Sequence, residues 1–414
     1  MNILFLSNYW PPEIGAPSHL AYELGETLVG FGHDVTVITG FPRHNIKEMP
    51  PAYRGRLALE ENMAGMRILR VAVPGTHGSS KIRRGIGHLL AGPLMALRAM
   101  PLPRPDLIYT VSPPLPMGLA AWLVARRMRV PFVFGVQDLF PRSAVDLGVM
   151  RNRAIISAFE KMERFIYRRA GAITVHSEGN RDHVLAHGGR AGSVHVAENW
   201  VDTDLILPMP RMNSVRAEAG LKDEFVVGFA GTMGWSQGLG IAVEAARLLT
   251  GVPDLAFLLV GDGVERPEME RQAAGLPNVR FLPMQPKSRY PEVLAASDAS
   301  LVVLRSEVAT PVVPSKLMTI MAAGRPVLSS MPLAGDAPRI VTDSGCGLVV
   351  PPGDAAALAR AVLALKDDPA SAGRMGDAGR RWAVERFSRP ACVREFEKIF
   401  LAAVGRPVPQ RSQA

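Results

Sequence analysis

A serine and a lysine stand together at the start of a short apolar segment, in the stretch PSKLMTIMAAG. Ser315 can cap a helix that begins here, and Lys316 adds a full positive charge to the partial charge of the helix dipole. Free N–H groups at a helix N-terminus favour phosphate as a ligand, and Gly324 ends the segment in the usual way. The residue types therefore predict a phosphate site; an ordinary capped helix with a solvated lysine is the alternative.

Glycines are concentrated at two strand-to-helix turns, where a backbone without side chains can approach an anion closely. The turn FAGTMGWSQGLG follows a strong apolar run and contains Gly231 and Gly238. The turn PPEIGAPSHLAYEL follows the first apolar run and puts Gly15 before an amphipathic stretch. Two such turns in different halves of the chain suggest two half-sites that share one ligand.

The histidines, cysteines and acidic residues do not predict a metal site. Asp202-Thr203-Asp204 matches an Asp-x-Asp pattern, but it lies in a linker and not after a strand. Cys346 and Cys392 are too few for a zinc cluster. The histidines weighed as ligands lack the spacing of a metal set: His19, His44, His88 and His176. Only His19, beside the Gly15 turn, is a candidate for the site, and we predict no metal and no cofactor.

Two series of short apolar runs alternate with helical stretches along the chain. The runs of the first half are Asn2–Leu6, Asp34–Thr39, Met66–Val73, Asp106–Val111, Pro131–Val136 and Gly171–Val175. Those of the second half are Glu224–Ala230, Leu255–Val260, Asn278–Leu282, Ala299–Leu304, Pro326–Ser329 and Gly347–Val350. Parallel strands with crossover helices are the economical arrangement. The predicted fold class is therefore α/β, with two doubly wound Rossmann-like domains facing a cleft.

The stretch NWVDTDLILPMPRMNS between the two series is rich in proline and turn formers, which is typical of a hinge. We predict an N-terminal domain over residues 1–205 and a C-terminal domain over residues 206–385. Residues 386–414 should form a helix that packs back on the N-terminal domain. Pro390 must kink or split the helical pattern that leads into it. The polar, proline-punctuated segment Phe41–Tyr53 is predicted to be a mobile loop.

The composition is that of a folded globular protein, with 48% apolar and 21% charged residues. Two cysteines and the lack of a basic, apolar leader predict a reducing compartment and no export by a signal peptide. No apolar run reaches the length of a membrane span. We therefore expect a cytoplasmic protein.

The net charge of +9 lies almost wholly in residues 1–200, which carry 23 Lys or Arg against 15 Asp or Glu. Aromatic residues make up 6% and no nucleic-acid motif is present, so an anionic lipid or a phosphorylated acceptor is the favoured partner. The segment Lys81–Met100 mixes Lys81, Arg83, Arg84 and Arg98 with an apolar face. That composition is typical of an interfacial helix; a core helix with solvated arginines is the alternative.

Seven motifs resemble, in order, those of the GT-B glycosyltransferases of family 4. They are PPEIGAPSHLAYEL, GFGHDVTVITG, ENWVDTD, GFAGTMG, LVGDG, AASDASLVVL and PSKLMTIMAAGRPV. The stretches GVQDLFPRSAVDLG and AGTMGWSQGL resemble the bacterial colanic-acid and O-antigen branch of that family more closely. The resemblance covers the chain from end to end, and it is specific because the order of the motifs is kept.

This resemblance implies a sugar nucleotide bound mainly by the second domain, an acceptor on the first, transfer with retention and no required metal. Asp138 would lie near the sugar and act with Lys316 in catalysis, and His19 and Asn199 would contact acceptor or sugar. The residues expected to bind the donor are Gly15, Gly231, Thr232, Gln237, Gly238, Ser315, Lys316 and Thr319.

The chain departs from the family pattern at several positions. Thr232 and Gln237 stand where the family has an arginine and a lysine that bind the diphosphate. The family's two glutamates fall on Pro311 and Thr319, and Trp200 replaces the glycine of Asn-Gly-Val-Asp. A charged hydrogen bond contributes about 1.5 to 3 kcal/mol and a neutral one about 0.5 to 1.5. We therefore expect Lys316 to compensate for the missing cations.

The leading hypothesis is a retaining glycosyltransferase that moves a sugar from a UDP-sugar, in preference to a GDP-sugar, to a hydroxyl of a lipid-linked glycan in exopolysaccharide, capsule or O-antigen synthesis. The enzyme would work at the inner face of the membrane through peripheral contact with anionic lipid. Two alternatives stay open, a nucleotide-sugar epimerase and a non-catalytic nucleotide-sugar-binding protein. A nicotinamide oxidoreductase is disfavoured, because VGDGVE lacks the full Gly-x-Gly-x-x-Gly pattern.

Overall fold

The structure, a computed structural model, describes residues 1–13, 15–42, 49–74, 81–146, 148, 150–307 and 313–407, with only the backbone of 81–86 and 88. The chain divides into two compact units. Unit 1 comprises Met1–Asn199 and Cys392–Ala414, and unit 2 comprises Trp200–Ala391. The predicted loop at Phe41–Tyr53 lies partly outside the described residues. Ile14, His44 and Pro311 lie wholly outside them.

Unit 1 is built on an eight-stranded sheet with the order β3-β4-β2-β1-β5-β6-β7-β8. Its strands are β1 Asn2–Ser7, β2 Asp34–Gly40, β3 Ala58–Met63, β4 Met66–Val71, β5 Leu107–Ser112, β6 Phe132–Val136, β7 Ala172–Val175 and β8 Val194–Val196. Its helices are α1 Ala16–Gly30, α2 Lys81–Ala99, α3 Pro116–Met128, α4 Arg142–Asp146, α5 Arg153–Arg169 and α6 Glu178–Ala186. All strand pairs are parallel except β3 with β4.

Strand β1 lies in the middle of this sheet, between β2 and β5, and all three strands are rich in buried apolar residues. Ile3 is in register with Val35 on β2 and with Leu107 on β5, and all three are buried. A parallel sheet that helices cover on both faces needs apolar side chains in both directions along a strand. The central strands of unit 1 therefore read as continuous apolar runs.

Unit 1 is completed by the last helix of the chain, which begins in unit 2 at Arg389 and ends at Ala403. Phe396 and Phe400 pack against the ring of Tyr109 on β5, with Phe400 at 5.1 Å between ring centroids. Glu397 lies 2.8 Å from His33 in a buried pair. This packing of aromatic rings and a buried pair holds the helix to the sheet.

Unit 2 contains a six-stranded parallel sheet with the order β11-β10-β9-β12-β13-β14. Its strands are β9 Phe225–Thr232, β10 Leu255–Asp262, β11 Val279–Leu282, β12 Ala299–Val303, β13 Val327–Ser330 and β14 Gly347–Val350. Its helices are α7 Ser214–Glu218, α8 Gly240–Leu248, α9 Arg266–Gln272, α10 Tyr290–Ala295, α11 Ser315–Ala322, α12 Asp336–Ser344, α13 Ala355–Asp367 and α14 Pro369–Arg386; the final helix is α15 Arg389–Ala403.

The segment predicted as a hinge begins inside the core of unit 2. Val201 and Ile206 are buried in the same apolar cluster as Leu317 of α11. The guanidinium of Arg380 on α14 donates to the carbonyls of Thr203 and Ile206. Because these contacts fix the segment, the structure divides at 199/200, earlier than the predicted boundary at 205/206.

The twelve predicted strands all occur, with ends shifted by two residues at most. Two strands were missed. β3 is an edge strand whose side chains alternate between exposed and half-buried, so it lacks an apolar run, and β8 has three residues. The predicted interruption near Pro390 is confirmed, since α14 ends at Arg386 and α15 starts at Arg389.

Arg216 ties the start of α7 to the sheet of unit 2. Its buried guanidinium pairs with Asp298 at 2.5 Å and donates to the carbonyls of Ala296, Lys222 and Glu224. Arg211 pairs with the same carboxylate at 3.0 Å, but its side chain is 40% exposed. The two arginines therefore form a matched pair for a stability test.

We predict that Arg216→Met destabilises the protein by about 3 kcal/mol, because three backbone carbonyls lose their donor and the half-buried carboxylate of Asp298 keeps only Arg211 and one backbone N–H. Arg211→Met should cost less than about 1 kcal/mol, as exposed ion pairs do. Urea unfolding of both variants beside the unchanged chain measures the difference. Equal losses for the two variants would show that burial of this ion pair does not set the stability of unit 2.

Candidate functional site

Lys316 lies across the glycine-rich turn that follows β9. Its Nζ donates to Oε1 of Gln237 at 3.2 Å. A Cβ on Gly231 would lie 2.7 Å from Cε of Lys316, and Gly231 has a φ of 136°, so both space and backbone require glycine there. The structure therefore brings together three of the predicted residues, Gly231, Gln237 and Lys316.

The charge of Lys316 has neutral surroundings. Its Nζ lies 5.2 Å from the centre of the Phe229 ring, and its hydrogen-bond partner is an amide. Burial lowers the pKa of Lys316 below its usual value. Among the described residues no carboxylate forms an ion pair with it. A bound anion would supply the missing counter-charge, because a partly desolvated cation is stabilised by an opposite charge nearby.

Helix α11 begins without a side-chain cap, so the prediction that Ser315 caps it is wrong. Pro314 is the N-cap residue, and it makes no side-chain cap hydrogen bond to the first turn. Ser315 is instead the exposed first helical residue. Proline before it fixes an extended backbone and offers no side-chain acceptor. The free N–H groups of the first turn remain available to an anion. Gly324, with a φ of 67°, follows the helix as expected.

Arg305 was missed by sequence reasoning and supports the same turn. Its backbone N–H donates to Ser236 and its guanidinium to the carbonyl of Trp235. A second guanidinium nitrogen lies 2.7 Å from the carboxylate of Glu265. Gly238 has a φ of 60°, and a Cβ there would lie 2.6 Å from Cγ of Arg305. The position of Arg305, two residues after β12 and therefore at the carboxyl edge of the sheet, was the signal from which sequence reasoning could have predicted it as a site residue.

The two predicted threonines differ in their surroundings. Thr232 is exposed at the end of β9. Thr319 donates to the carbonyl of Lys316 at 3.0 Å and shares a hydrogen bond with Tyr290, a residue whose pKa is raised by burial. Thr319 thus has contacts within its own unit, and its role toward a donor stays a prediction. Pro311, the other departure from the glutamate pair, lies outside the described residues.

Gly15 and His19 lie at the start of α1 in unit 1. Gly15 is the N-cap residue, with φ 153° and ψ 158°, and its carbonyl accepts from the backbone N–H of His19 at 3.1 Å. The side chain of His19 is half-buried in the first turn. The backbone conformation accounts for glycine at position 15, while contact of either residue with a ligand stays a prediction.

Asp138 and Asn199, both in unit 1, are connected through Gln137. The side-chain amides of Gln137 and Asn199 form two reciprocal hydrogen bonds of 3.0 and 2.9 Å. Asp138 is the next residue after Gln137, and it is half-buried just beyond the end of β6. The geometry thus places a carboxylate and an amide pair at the carboxyl edge of the sheet, where ligands of open α/β sheets bind.

The Asp-x-Asp stretch has a structural role in this protein. Oδ1 of Asp202 accepts from the backbone N–H groups of Asp204 and Leu205, at 3.1 and 2.8 Å. Thr203 is buried between the two aspartates. Trp200, which replaces the glycine of the family motif, is 7% exposed and fills the core. The contacts of Asp202 account for the segment as a turn.

Comparison with known proteins agrees with this arrangement of two sheets. The family model described as a glycosyl transferase 4-like domain matches residues 15–200, and the model for glycosyl transferases group 1 matches residues 224–368. WcaI of Escherichia coli K12, named for a glycosyl transferase role in colanic acid biosynthesis, is 27% identical over 78% of this chain and 82% of its own. The 2-deoxystreptamine glucosyltransferase of Streptomyces kanamyceticus is 33% identical over 65% of this chain and 70% of its own.

Solved structures support the same fold. HepE of Anabaena, crystallised in complex with UDP, superposes with a TM-score of 0.72 at 18% identity, over 97% of this chain and all of its own. The chain belongs to the GT-B glycosyltransferases of family 4, in the group related to colanic-acid and O-antigen enzymes. The sequence-based prediction of this family and of its two Rossmann-like domains is confirmed.

We predict that Lys316→Ala weakens nucleoside-diphosphate binding about tenfold to a hundredfold, because one charge-assisted contact is lost. Lys316→Met should weaken binding as much, because it removes the same charge. This variant keeps the aliphatic stem over Phe229, so it tests the charge alone. Calorimetric titration with UDP and with GDP measures the affinity, and circular dichroism checks the fold. Lys287→Ala, at an exposed position in the same unit, is the control. Unchanged affinity in both Lys316 variants would exclude this lysine from the anion site.

Proposed function

We propose that this glycosyltransferase moves a sugar, with retention, from a nucleoside-diphosphate sugar to a hydroxyl of a lipid-linked glycan. The products would be intermediates of exopolysaccharide, capsule or O-antigen synthesis. The observation that carries the proposal is the cation of Lys316, held against Gly231 and Gln237 at the uncapped start of α11. A diphosphate is the ligand that this combination of lysine, amide and helix N-terminus suits best.

The proposed mechanism is electrostatic. As the bond between the anomeric carbon and the diphosphate breaks, negative charge develops on the leaving oxygen. Lys316 and the N–H groups of the first turn of α11 stabilise that charge. The acceptor hydroxyl attacks from the same face and passes its proton to the departing diphosphate, so the configuration is retained. No protein nucleophile and no metal is needed for these steps.

Residues of unit 1 supply the other proposed contacts. Asp138 would accept hydrogen bonds from sugar hydroxyls, and the hydrogen-bonded amides of Gln137 and Asn199 would hold the loop that carries it. Gly15 and His19 would face the donor phosphate or the acceptor from the start of α1. In unit 2, Thr232, Gly238, Ser315 and Thr319 complete the proposed donor site. UDP is the favoured nucleotide, since the related fold of HepE was crystallised with UDP.

A non-catalytic sugar-nucleotide binder is the second candidate. It is favoured by Thr232 and Thr319, which replace charged residues of the family pattern. Such a protein would use the same anion site but would neither hydrolyse the donor nor transfer its sugar. The two candidates therefore differ in turnover and not in binding.

We predict that the protein binds a UDP-sugar in a thermal-shift screen of UDP-, GDP-, ADP- and TDP-sugars, and releases UDP from it when acceptor lipid is present. Release should continue in EDTA, because the mechanism uses a lysine and a helix N-terminus in place of a metal. Chromatography of the nucleotide and the glycolipid follows both products. Complete loss in EDTA with recovery in Mn²⁺ or Mg²⁺ would contradict metal independence. Tight binding without release across a broad acceptor panel would favour the non-catalytic candidate.

We further propose that unit 1 rests on an anionic membrane surface through α2. Three leucines of this helix are exposed, Leu89 by 52%, Leu90 by 40% and Leu97 by 68%. Its opposite face is buried, with Met95 and Ala99 fully covered. Helices α2, α3 and α5 pack side by side, and α5 adds Lys161, Arg164, Arg168 and Arg169 around Phe165. Exposed leucines beside basic residues suit the surface of an anionic bilayer.

None of the helices in the described part of the chain combines the length and the apolar character of a membrane span. Contact with lipid would therefore be peripheral in the described region, at the inner face of the membrane where the acceptor is anchored. Each basic residue near such a surface contributes about 1 kcal/mol.

We predict that the protein sediments with anionic vesicles, stays free with neutral vesicles, and is released by salt, which screens charges beyond about 8 Å at physiological strength. Replacing Arg83, Arg84 and Arg98 together with glutamine should reduce binding, and Leu89→Ser with Leu97→Ser should reduce it further. Replacing Lys222, Lys287 and Arg360 together with glutamine, three exposed residues of unit 2, is the charge-matched control. Equal partitioning of the unchanged protein to both vesicle types would contradict the proposal.

A further inference from the structure

Two histidines and a glutamate meet between α5 and α6 in unit 1. Glu163 is on α5, His183 is on α6, and His187 directly follows α6. One ligand atom of each side chain lies within 4.8 Å of those of the other two. Nε2 of His183 and Oε1 of Glu163 are 3.4 Å apart. Two ligands of a tetrahedral zinc ion are separated by roughly the same distance, about 3.3 Å, given bonds of about 2.0 to 2.1 Å.

The two histidines are arranged as a pair that can bind one ion. They are four residues apart, and the backbone N–H of His187 still donates to the carbonyl of His183 at 3.0 Å, so the helical turn continues through both. Their rings stack with centroids 4.0 Å apart and planes 16° apart. Histidines at positions i and i+4 on one helical face are a recurrent zinc-binding arrangement.

The hydrogen bonds behind the ligand atoms orient these groups. Nδ1 of His187 lies 2.8 Å from the carbonyl of His183, and a carbonyl can only accept, so Nδ1 carries the proton and Nε2 presents its lone pair. The hydroxyl of Tyr167 donates to Oε1 of Glu163 at 2.9 Å. Metal-binding histidines and carboxylates in proteins have such supporting hydrogen bonds.

We propose that Glu163, His183 and His187 form a site for one transition-metal dication, of which Zn²⁺ fits best. Two imidazoles and one carboxylate suit zinc, nickel or copper, whereas magnesium, calcium and manganese prefer oxygen ligands. Glu163 is 1% exposed on its side chain, so the ion would replace the imidazole as partner of a buried carboxylate. Because the ligands come from two helices that flank β7, the ion would cross-link α5 to α6.

The proposed ion is separate from sugar transfer and does not depend on the proposed function. Its ligands come from α5 and the C-terminal end of α6, whereas the residues assigned to transfer lie at strand ends, in the loops that follow them, and on α1 and α11. The expected effect is on stability, because an ion that binds only the folded state stabilises it. Activity in EDTA is therefore compatible with a zinc site here.

The test uses the full chain without a histidine tag, treated with chelator and returned to metal-free buffer. Calorimetry with Zn²⁺ should show one equivalent bound at micromolar or lower concentration, and Co²⁺ should give the visible absorption of a tetrahedral site. Saturating Zn²⁺ should raise Tm by roughly 5 °C. His183→Gln and His187→Gln should each weaken zinc binding at least tenfold, and Tyr167→Phe about tenfold.

His195→Gln is the control, since His195 is a half-buried histidine on β8 of the same unit and lies outside the cluster. Circular dichroism verifies the fold of each variant, and Glu163→Gln, which can still accept from Tyr167, replaces any histidine variant that unfolds. No stoichiometric zinc binding by the unchanged chain would overturn the proposal. Binding that survives in the folded cluster variants would overturn it too, by placing the ion elsewhere.

Discussion

Parallel pairing of buried strands is the constraint on which the rest of this protein depends. Every described strand pair but β3 with β4 is parallel, so the chain returns through a helix between neighbouring parallel strands, except from β2 to β4, where it returns through β3. All the parallel strands of one sheet then end at the same edge. In unit 2 this edge holds Gly231, near the end of β9, and Arg305, in the loop after β12; in unit 1 the corresponding edge holds Asp138, in the loop after β6. Residues far apart in sequence become neighbours because the sheet allows no other connection.

Lys316 is a partly buried cation at the carboxyl edge of the sheet in unit 2. Burial disfavours its charged form, and the Phe229 ring and an amide compensate only in part. The unfavourable burial of this charge occurs at the first turn of α11, where the backbone N–H groups also lack a side-chain cap. Locally unfavourable groups of this kind are typical of functional sites. By contrast, Arg216 has a carboxylate and three carbonyls as partners, which is the pattern of a structural arginine.

Much of the fold was predictable, because buried parallel strands leave a strong apolar signal. β3 was not, since an edge strand with half-exposed side chains has no such run. The meeting of Lys316 with Gly231 was not predictable in detail either, because it depends on the backbone conformation at residue 231. Ser315 failed as a cap since the preceding proline took the cap position. The cluster at Glu163 was missed because its carboxylate comes from a different helix, whereas the two histidines at four-residue spacing were visible.

The last helix also bears on how the chain folds as it is synthesised. In the sequence, unit 2 is inserted into unit 1, between Asn199 and Cys392. The first and last segments of unit 2 lie side by side, since the N–H of Val201 donates to the carbonyl of Phe387 at 2.9 Å. Unit 2 can therefore be complete while the ribosome still holds α15. Unit 1 must wait with Tyr109 and His33 uncovered until Phe400 and Glu397 emerge. A nascent chain that stalls or is cut before α15 would keep a finished second unit and an open first sheet, a state that chaperones and proteases recognise by its exposed apolar surface.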